Sequence, residues 1–211
     1  TKKKIFYFPN PSVDMSKLIS AKVKKKKGLF KILYAGNIGE AQNFEKLIEI
    51  AKISAKEKFI FQIIGGGNKY SWLKKKIKNE KIKNIHLLKN VDFKKIPQYY
   101  SSADCLLISL KKSKYLNMTI PSKLQNYLSA RKPILSMCGG ETKKIITENN
   151  CGLDLNDLNK KSVSKKIITF SKKKKSSLKM MSNRGYKFFI KNFTLNQTKK
   201  RFYQILKNEK I

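Results

Sequence analysis

The stretch Met118–Leu135, MTIPSKLQNYLSARKPIL, sets a proline and a lysine at the mouth of a short helical pattern, between two apolar runs that read as strands. The run before it is Cys105 to Ser109 and the run after it is Pro133 to Ser136. Strand, helix and strand within about 30 residues make a βαβ unit, whose two strands lie parallel in one sheet. Pro121 fits the first helical position, where its missing N–H costs nothing. In that register Ile120 is the N-cap, and isoleucine has no oxygen to accept from the amides of Ser122 and Lys123. Thr119 could reach back to supply one. Alternatively an external anion could sit there, held by the amides, the positive end of the helix, the Ser122 hydroxyl and the Lys123 ammonium. Leu124 and Leu128 then face the sheet, while Asn126 points toward the ligand.

Working outward, the same alternation fills the first two thirds of the chain. Strands are predicted over Lys31 to Ala35, Phe59 to Ile64, Ile85 to Leu88, Cys105 to Ser109, Pro133 to Ser136 and Gly152 to Leu155. Helices are predicted over Asn43 to Lys56, Tyr70 to Asn79, Ile96 to Ser101, Pro121 to Ala130 and Thr142 to Asn149. The expected fold is α/β, a Rossmann-like six-stranded parallel sheet flanked by helices. After Asp157 the pattern turns wholly helical, over Ser162 to Phe170, Leu178 to Phe193 and Leu195 to Leu206. The basic block Lys172 to Lys175 reads as a solvated loop between two of these helices.

The chain has 211 residues, 49 Lys+Arg against 13 Asp+Glu, and a formal charge of +36. Such a balance invites a nucleic-acid reading. Nearly all of the charge is lysine, however, with isoleucine and asparagine enriched beside it, as an AT-rich genome would write onto any exposed surface. Arginine, the usual reader of bases, occurs only at 131, 184 and 201. Attraction to an anionic membrane surface is the other reading of the charge. No run is long enough for a transmembrane helix or a signal-peptide core. Cys105, Cys138 and Cys151 are isolated, without CxxC spacing or histidine partners, which speaks against a disulfide framework or a zinc site and fits a reducing cytoplasm. The opening residues, TKKKIFYFPNPSVDM, read as a strand and turn joined to something upstream, so the chain reads as a piece of a longer protein.

In an open parallel sheet the ligand lies off the carboxyl ends of the strands. The first strand ends in Ala35-Gly36-Asn37-Ile38-Gly39-Glu40, where glycines permit close backbone approach and the amides that follow can cradle a phosphate. The spacing is neither GxGxxG nor a Walker loop, so a tight turn and a phosphate site both stay open. The second strand runs into Gly65-Gly66-Gly67, either a flexible turn or a close approach to a ligand. The third leads into Lys89-Asn90-Val91, a floor on which a flat base could rest. Tyr99 and Tyr100 sit at helical spacing and read as core. His86, the sole histidine, lies inside a strand and reads as packed, with no catalytic or metal constellation around it.

Taken together, AGNIGEAQNFEKLI, FQIIGGG, IHLLKNV, IPQYYSSADCLLISL, TIPSKLQNYLSARKPIL and GGETKKIITENNCGLDL resemble, in order and spacing over residues 30 to 155, the C-terminal half of a family 4 retaining glycosyltransferase of GT-B fold. The nearest likeness is to the subgroup that builds bacterial surface polysaccharides, lipopolysaccharide and capsule among them, and that includes N-acetylfucosamine transferases. The resemblance implies a nucleotide-sugar donor, usually a UDP-sugar, transferred with retention to a lipid-linked or polysaccharide acceptor, with no metal or other cofactor. It implies that Gly36, Asn37 and Gly39 lie by the sugar and pyrophosphate, with Gly65 and Gly66 alongside, and that Val91 contacts the base. Ser122 and Lys123 would meet the diphosphate, Lys123 stabilising the leaving group, with Thr119 and Pro121 also among the donor-binding residues, and Asn126 would bond a ribose hydroxyl. The family's paired glutamates fall on Met118 and Asn126, and the glycine usual before KP is Arg131. The domain organisation that follows is a linker or strand over 1–28 from a missing N-terminal acceptor half, the nucleotide-sugar domain over 29–170, and helices over 171–211 that cross back. The catalytic residues would lie largely in the missing half, so that the chain alone would transfer little. The expected location is cytoplasmic, peripheral to the inner face of the cell membrane. A nucleotide-sugar 2-epimerase of the same fold, or a nonenzymatic basic module binding nucleic acid or anionic membrane, are the alternatives.

Overall fold

The computed structural model describes residues 6–19 and 28–208. Its strands are β1 (Phe30–Ala35), β2 (Phe59–Ile64), β3 (Ile85–Leu88), β4 (Cys105–Ser109), β5 (Ile134–Met137) and β6 (Gly152–Asp154). They form one six-stranded sheet in the order β3-β2-β1-β4-β5-β6, every pairing parallel. The helices are α1 (Phe44–Ile53), α2 (Tyr70–Asn79), α3 (Ile96–Ser102), α4 (Lys114–Asn117), α5 (Ser122–Ser129), α6 (Gly140–Glu148), α7 (Lys160–Ser171), α8 (Lys175–Asn192) and α9 (Leu195–Asn208).

The period-2 alternation of the strands divides the core between the two faces of the sheet. Ile32 and Tyr34 of β1 join Cys105 and Leu107 of β4 beneath α1, α2 and α7. Leu33 and Ala35 join Leu106 and Ile108 beneath α3, α5, α6 and α8. Both faces are covered, so β4 is buried along its whole length and β1 from Ile32 to Ala35, as in parallel sheets generally. Cys105, Cys138 and Cys151 are buried free thiols.

Several boundaries differ from the sequence pattern. The first helix stops at Ile53 rather than Lys56, because Asn84 donates its side-chain amide to the carbonyls of Ala51 and Ser54 and so satisfies the end of the helix. The short α4 has no apolar period and is not predicted, and α6 starts two residues earlier, at Gly140. No strand occurs at the start of the chain among residues 6–19, and residues 1–5 lie outside the described ones. Residues 6–14 run without regular structure into a 3-10 turn at Met15–Leu18. That segment is fastened to the helices beside it: Met15 N–H donates to Ser129 Oγ at 3.2 Å, Ser12 N–H to Phe193 O at 2.8 Å, and the Tyr186 hydroxyl to Asp14 Oδ2 at 2.7 Å. His86 is exposed, not packed, because β3 is an edge strand and this residue alternates to its open side. Tyr100 is core, with Tyr99 packed against the same cluster.

Candidate donor-binding site

The strand order reverses direction between β1 and β4, and a crevice opens at the carboxyl ends of those two strands. The glycine loop after β1 and the helix α5 that follows β4 both face this crevice.

The two glycine loops are built against each other. Gly36 N–H donates to Ile64 O at 2.9 Å, Ile38 N–H to Gly66 O at 2.7 Å, and Lys69 N–H returns to Ile38 O at 3.0 Å. A Cβ on Gly65 would lie 1.9 Å from Gly36 O, so that glycine is required by backbone packing. A Cβ on Gly66 would press on the Asn90 side chain at 2.9 Å. Gly39 N–H donates to Gln42 Oε1 at 2.9 Å, and the Tyr34 hydroxyl donates to Asn37 O. The loop is thus held by its own backbone and side-chain hydrogen bonds.

Gly36 has φ +141°, and a Cβ there would meet Lys123 Cε at 2.8 Å. The glycine thus leaves room for the lysine, which runs inward from the tip of α5. Lys123 Nζ lies 3.6 Å from the centroid of the Tyr34 ring. It has no carboxylate partner among the described residues. Burial pushes its pKa down to about 7, and burial likewise pushes the neighbouring Cys138 thiol up to about 12 and the Tyr34 hydroxyl well above its ordinary value. Lys123 thus faces a ring rather than a carboxylate.

The helix itself starts one residue later than the sequence pattern predicts. Pro121, not Ile120, is the N-cap: its ψ of 139° is extended, and its carbonyl accepts from Leu124 N–H at 2.8 Å. No side chain caps α5. Thr119, the candidate for that task, instead donates its hydroxyl to Leu116 O at 2.9 Å. The amides at the tip therefore remain available, beside Lys123. Leu124 and Leu128 face the sheet as expected, fully buried.

Asn126 is placed differently from its expected role. Its Oδ1 accepts from the Ser12 hydroxyl at 2.6 Å, so the carboxamide is turned toward the segment at the start of the chain. Met118, where a carboxylate would usually stand, is 72% exposed. Val91, three residues beyond the end of β3, is half-buried and packed against the core on the face covered by α3, α5, α6 and α8. Arg131 takes up φ +52°, so the turn after α5 keeps the left-handed conformation without its usual glycine, and the guanidinium stacks 3.7 Å from the Tyr186 ring.

Sequence reasoning missed Tyr34, whose role depends on a lysine 89 positions away in the chain. It also missed Lys69 and Lys111. Both reach the mouth of the glycine loop, where Glu40 and Glu45 pair with them, at 3.0 Å for Lys69–Glu40 and 3.6 Å for Lys111–Glu40. These cations are neutralised where they stand, which leaves Lys123 as the unpaired one. Among the described residues no cluster of histidine, cysteine or carboxylate side chains could hold a metal ion. A wider groove of about 920 Å³ runs between α1 and α7 on the flank of the sheet, from Asn43 and Asn159 at the starts of those helices to Ile53 and Lys165.

The family model for glycosyl transferases group 1 matches residues 15–188, which take in the whole sheet and nearly all of this crevice. The chain belongs to that family. As a group 1 glycosyltransferase domain it is 34% identical over 98 residues to the putative colanic acid biosynthesis glycosyl transferase WcaI of Escherichia coli K12, a match covering 46% of this chain and 24% of that one. The C-terminal domain of the group 1 glycosyltransferase LpcC from Francisella tularensis superposes with a TM-score of 0.61 at 15% identity, covering 88% of this chain and 96% of that domain. A glycosyltransferase from Rickettsia africae gives 0.72 at 18% identity, covering 87% of this chain but 48% of its own length. The group 1 domain thus has the fold of a GT-B C-terminal half, and spans a quarter to a half of the full-length relatives it matches.

Proposed function

We propose that this group 1 domain binds the donor of a retaining glycosyltransferase, a nucleoside diphosphate sugar and most simply a UDP-sugar, for surface-polysaccharide synthesis on a lipid-linked or polysaccharide acceptor. The observation that carries the reading is the unpaired Lys123 ammonium beside the uncapped tip of α5, at the switch point of the sheet. A diphosphate in that seat meets a cation, free amides and the positive end of a helix. As the glycosyl bond breaks, negative charge gathers on the departing phosphate, and the same groups stabilise it more in the transition state than before it, with no metal required for this step. Gly36, Asn37 and Gly39 lie along the diphosphate, with Gly66 behind them, and Val91 receives the base.

The finer reading assigns the chain to the subgroup that includes N-acetylfucosamine transferases, in keeping with the likeness to a colanic acid enzyme. Residues 29–170 are then the donor domain, and 171–211 return toward an acceptor-binding half whose own residues complete catalysis. The work would be done at the cytoplasmic face of a membrane, whose anionic surface the lysine-rich exterior would favour. Titration calorimetry of the chain with UDP, GDP and TDP tests the reading. Binding of at least one of them, lost in Lys123→Ala with the fold intact, is expected, and no binding by any of the three overturns it.

A further inference from the structure

Two cavities, of about 800 and about 360 Å³, open along the amino ends of the strands, on the edge of the sheet opposite the crevice. Asp104, Lys175 and Leu178 line both, so the two join in one trough, which runs from the start of β1 and the end of α1 to the start of β5. Its floor is apolar. Phe30, Ile168 and Leu178 pack there against the core and stay partly uncovered. Its walls carry the exposed Lys56, Lys58, Lys172, Lys173, Lys175 and Lys179, against the two carboxylates Glu57 and Asp104.

None of these six ammonium groups makes an ion pair or a hydrogen bond among the described residues. The carboxylates that do pair with lysines, Glu40, Glu45, Asp154 and Asp157 among them, stand at the carboxyl ends of the strands. Nor are the six spent on helix ends, an ordinary duty of a lysine near a last turn. The Asn84 amide takes the last carbonyls of α1, and the backbone amides of Lys172 and Lys173 take those of Thr169 and Phe170 in α7. Lys132 shows the contrast, its Nζ donating to Ser101 O at 2.8 Å and Ala103 O at 2.7 Å. A cleft walled by one sign of charge over an apolar floor concentrates the opposite charge.

We infer that this trough docks an acidic glycan, a chain with uronate carboxylates along its length, on the side of the domain away from the donor crevice. The lysines meet the carboxylates, and the C–H faces of the sugar rings rest on the apolar floor. Asn183 and the Ser182 hydroxyl serve the sugar hydroxyls, the serine donating to Leu178 O at 2.8 Å and keeping its capacity to accept. Other polyanions fit less well. A flat bilayer surface leaves the floor empty. A nucleic-acid strand needs ring faces on which its bases stack, and Phe30 is packed edge-on against Phe170 at 6.2 Å. An extended peptide needs main-chain partners, and here Phe30 N–H is committed to Lys58 O at 3.0 Å and Asp104 N–H to Lys31 O at 2.9 Å. Polyphosphate has no apolar side to set on the floor. The inference uses no residue of the donor reading and does not depend on it.

Fluorescence anisotropy of labelled oligomannuronate with the chain, at low and at physiological salt, tests it. Binding that weakens as salt rises is expected, with neutral dextran bound at least about tenfold more weakly. Lys172→Glu combined with Lys175→Glu should cost the oligomannuronate about tenfold and leave UDP affinity unchanged. Lys74→Glu combined with Lys75→Glu, the same change of charge on the exposed side of α2, should cost it less than about twofold. Thermal melting confirms that both variants fold. Equal losses in the two variants would mean that overall charge alone attracts the glycan, and would overturn the inference. So would no binding, or tighter binding of oligothymidylate, polyglutamate or phosphatidylserine vesicles that is lost in the trough variant. Failure of UDP to bind, with the glycan results as expected, overturns the donor reading and leaves this one standing.

Discussion

The Lys123 ammonium sits against the face of the Tyr34 ring, 3.6 Å from its centroid, in the space that Gly36 leaves by having no side chain. A strand residue, a loop glycine and a helix residue therefore define one charge. A ring face stabilises a cation by about 0.5–2 kcal/mol, less than an ion pair with good geometry restores to a desolvated ammonium. The lysine is held in position without being satisfied, which is the condition an anion-binding group needs.

The first prediction concerns protons. Without ligand the lysine titrates at about 7, and a bound diphosphate raises that value by favouring the charged form. Above pH 7 the free protein is increasingly neutral there, so binding takes up a proton and affinity falls by up to about tenfold per pH unit. Below pH 7 this dependence flattens. Calorimetry of UDP binding by the native chain from pH 6 to 9, in buffers of different ionisation heat, should show the uptake. A flat profile in the native chain would mean that Lys123 keeps its charge without help.

The same shift acts on stability. Because the folded pKa is lowered, from 10.5 to about 7, the unfolded chain holds more protons between those values, and stability rises with pH across that window. Below pH 7 the cost of burying the charge is present in full. Lys123→Met is therefore expected to stabilise the protein by about 1–3 kcal/mol at pH 6, with the gap closing toward pH 10. Urea unfolding at the two pH values measures it. A destabilised Lys123→Met at pH 6 would show that the ring contact outweighs the desolvation.

Two adjacent glycines should separate binding from folding. Gly36→Ala places a methyl 2.8 Å from Lys123 Cε, the flexible part of a side chain, at φ +141°. The lysine can move, so UDP affinity should fall more than tenfold while stability drops by about 1–2 kcal/mol. Gly65→Ala drives a methyl to 1.9 Å from Gly36 O, which is backbone and cannot move without breaking the joint between the loops. That variant should lose about 3 kcal/mol or more in denaturant unfolding. If Gly36→Ala kept full affinity, the lysine would not need the place it occupies.

The order of strands and helices was legible because it rests on local signals: apolar runs of the right length, and 3.6-residue periodicity between them. Strand ends such as Phe59, Ile64, Cys105 and Ser109 agree to the residue with the pattern. What was not legible depends on contacts across the fold. Asn84 ends α1 from 30 residues away, and Ser12 occupies the Asn126 carboxamide from the start of the chain. The cap of α5 turned on one ψ angle at Pro121, since proline fixes φ alone. Of the site, Lys123 was visible as a cation beside a helix mouth, but Tyr34 looked like an ordinary member of an apolar strand. It acquires its meaning from the lysine that lies opposite it.

Arg131 gives the last prediction, where two opposing terms meet in one residue. At φ +52° a side chain costs about 1 kcal/mol that glycine would avoid. The guanidinium recovers about 0.5–2 kcal/mol by stacking on Tyr186, whose hydroxyl in turn holds Asp14 of the segment that crosses α5. Arg131→Gly removes both the strain and the stack, so its stability should stay within about 1 kcal/mol of the native chain. Arg131→Ala keeps the strain and loses the stack, so it should fall below Arg131→Gly by about 1 kcal/mol. Urea unfolding of the three proteins orders them. An alanine variant as stable as the native chain would mean that the ring contact contributes nothing, and one as stable as Arg131→Gly would mean that the left-handed turn carries no strain.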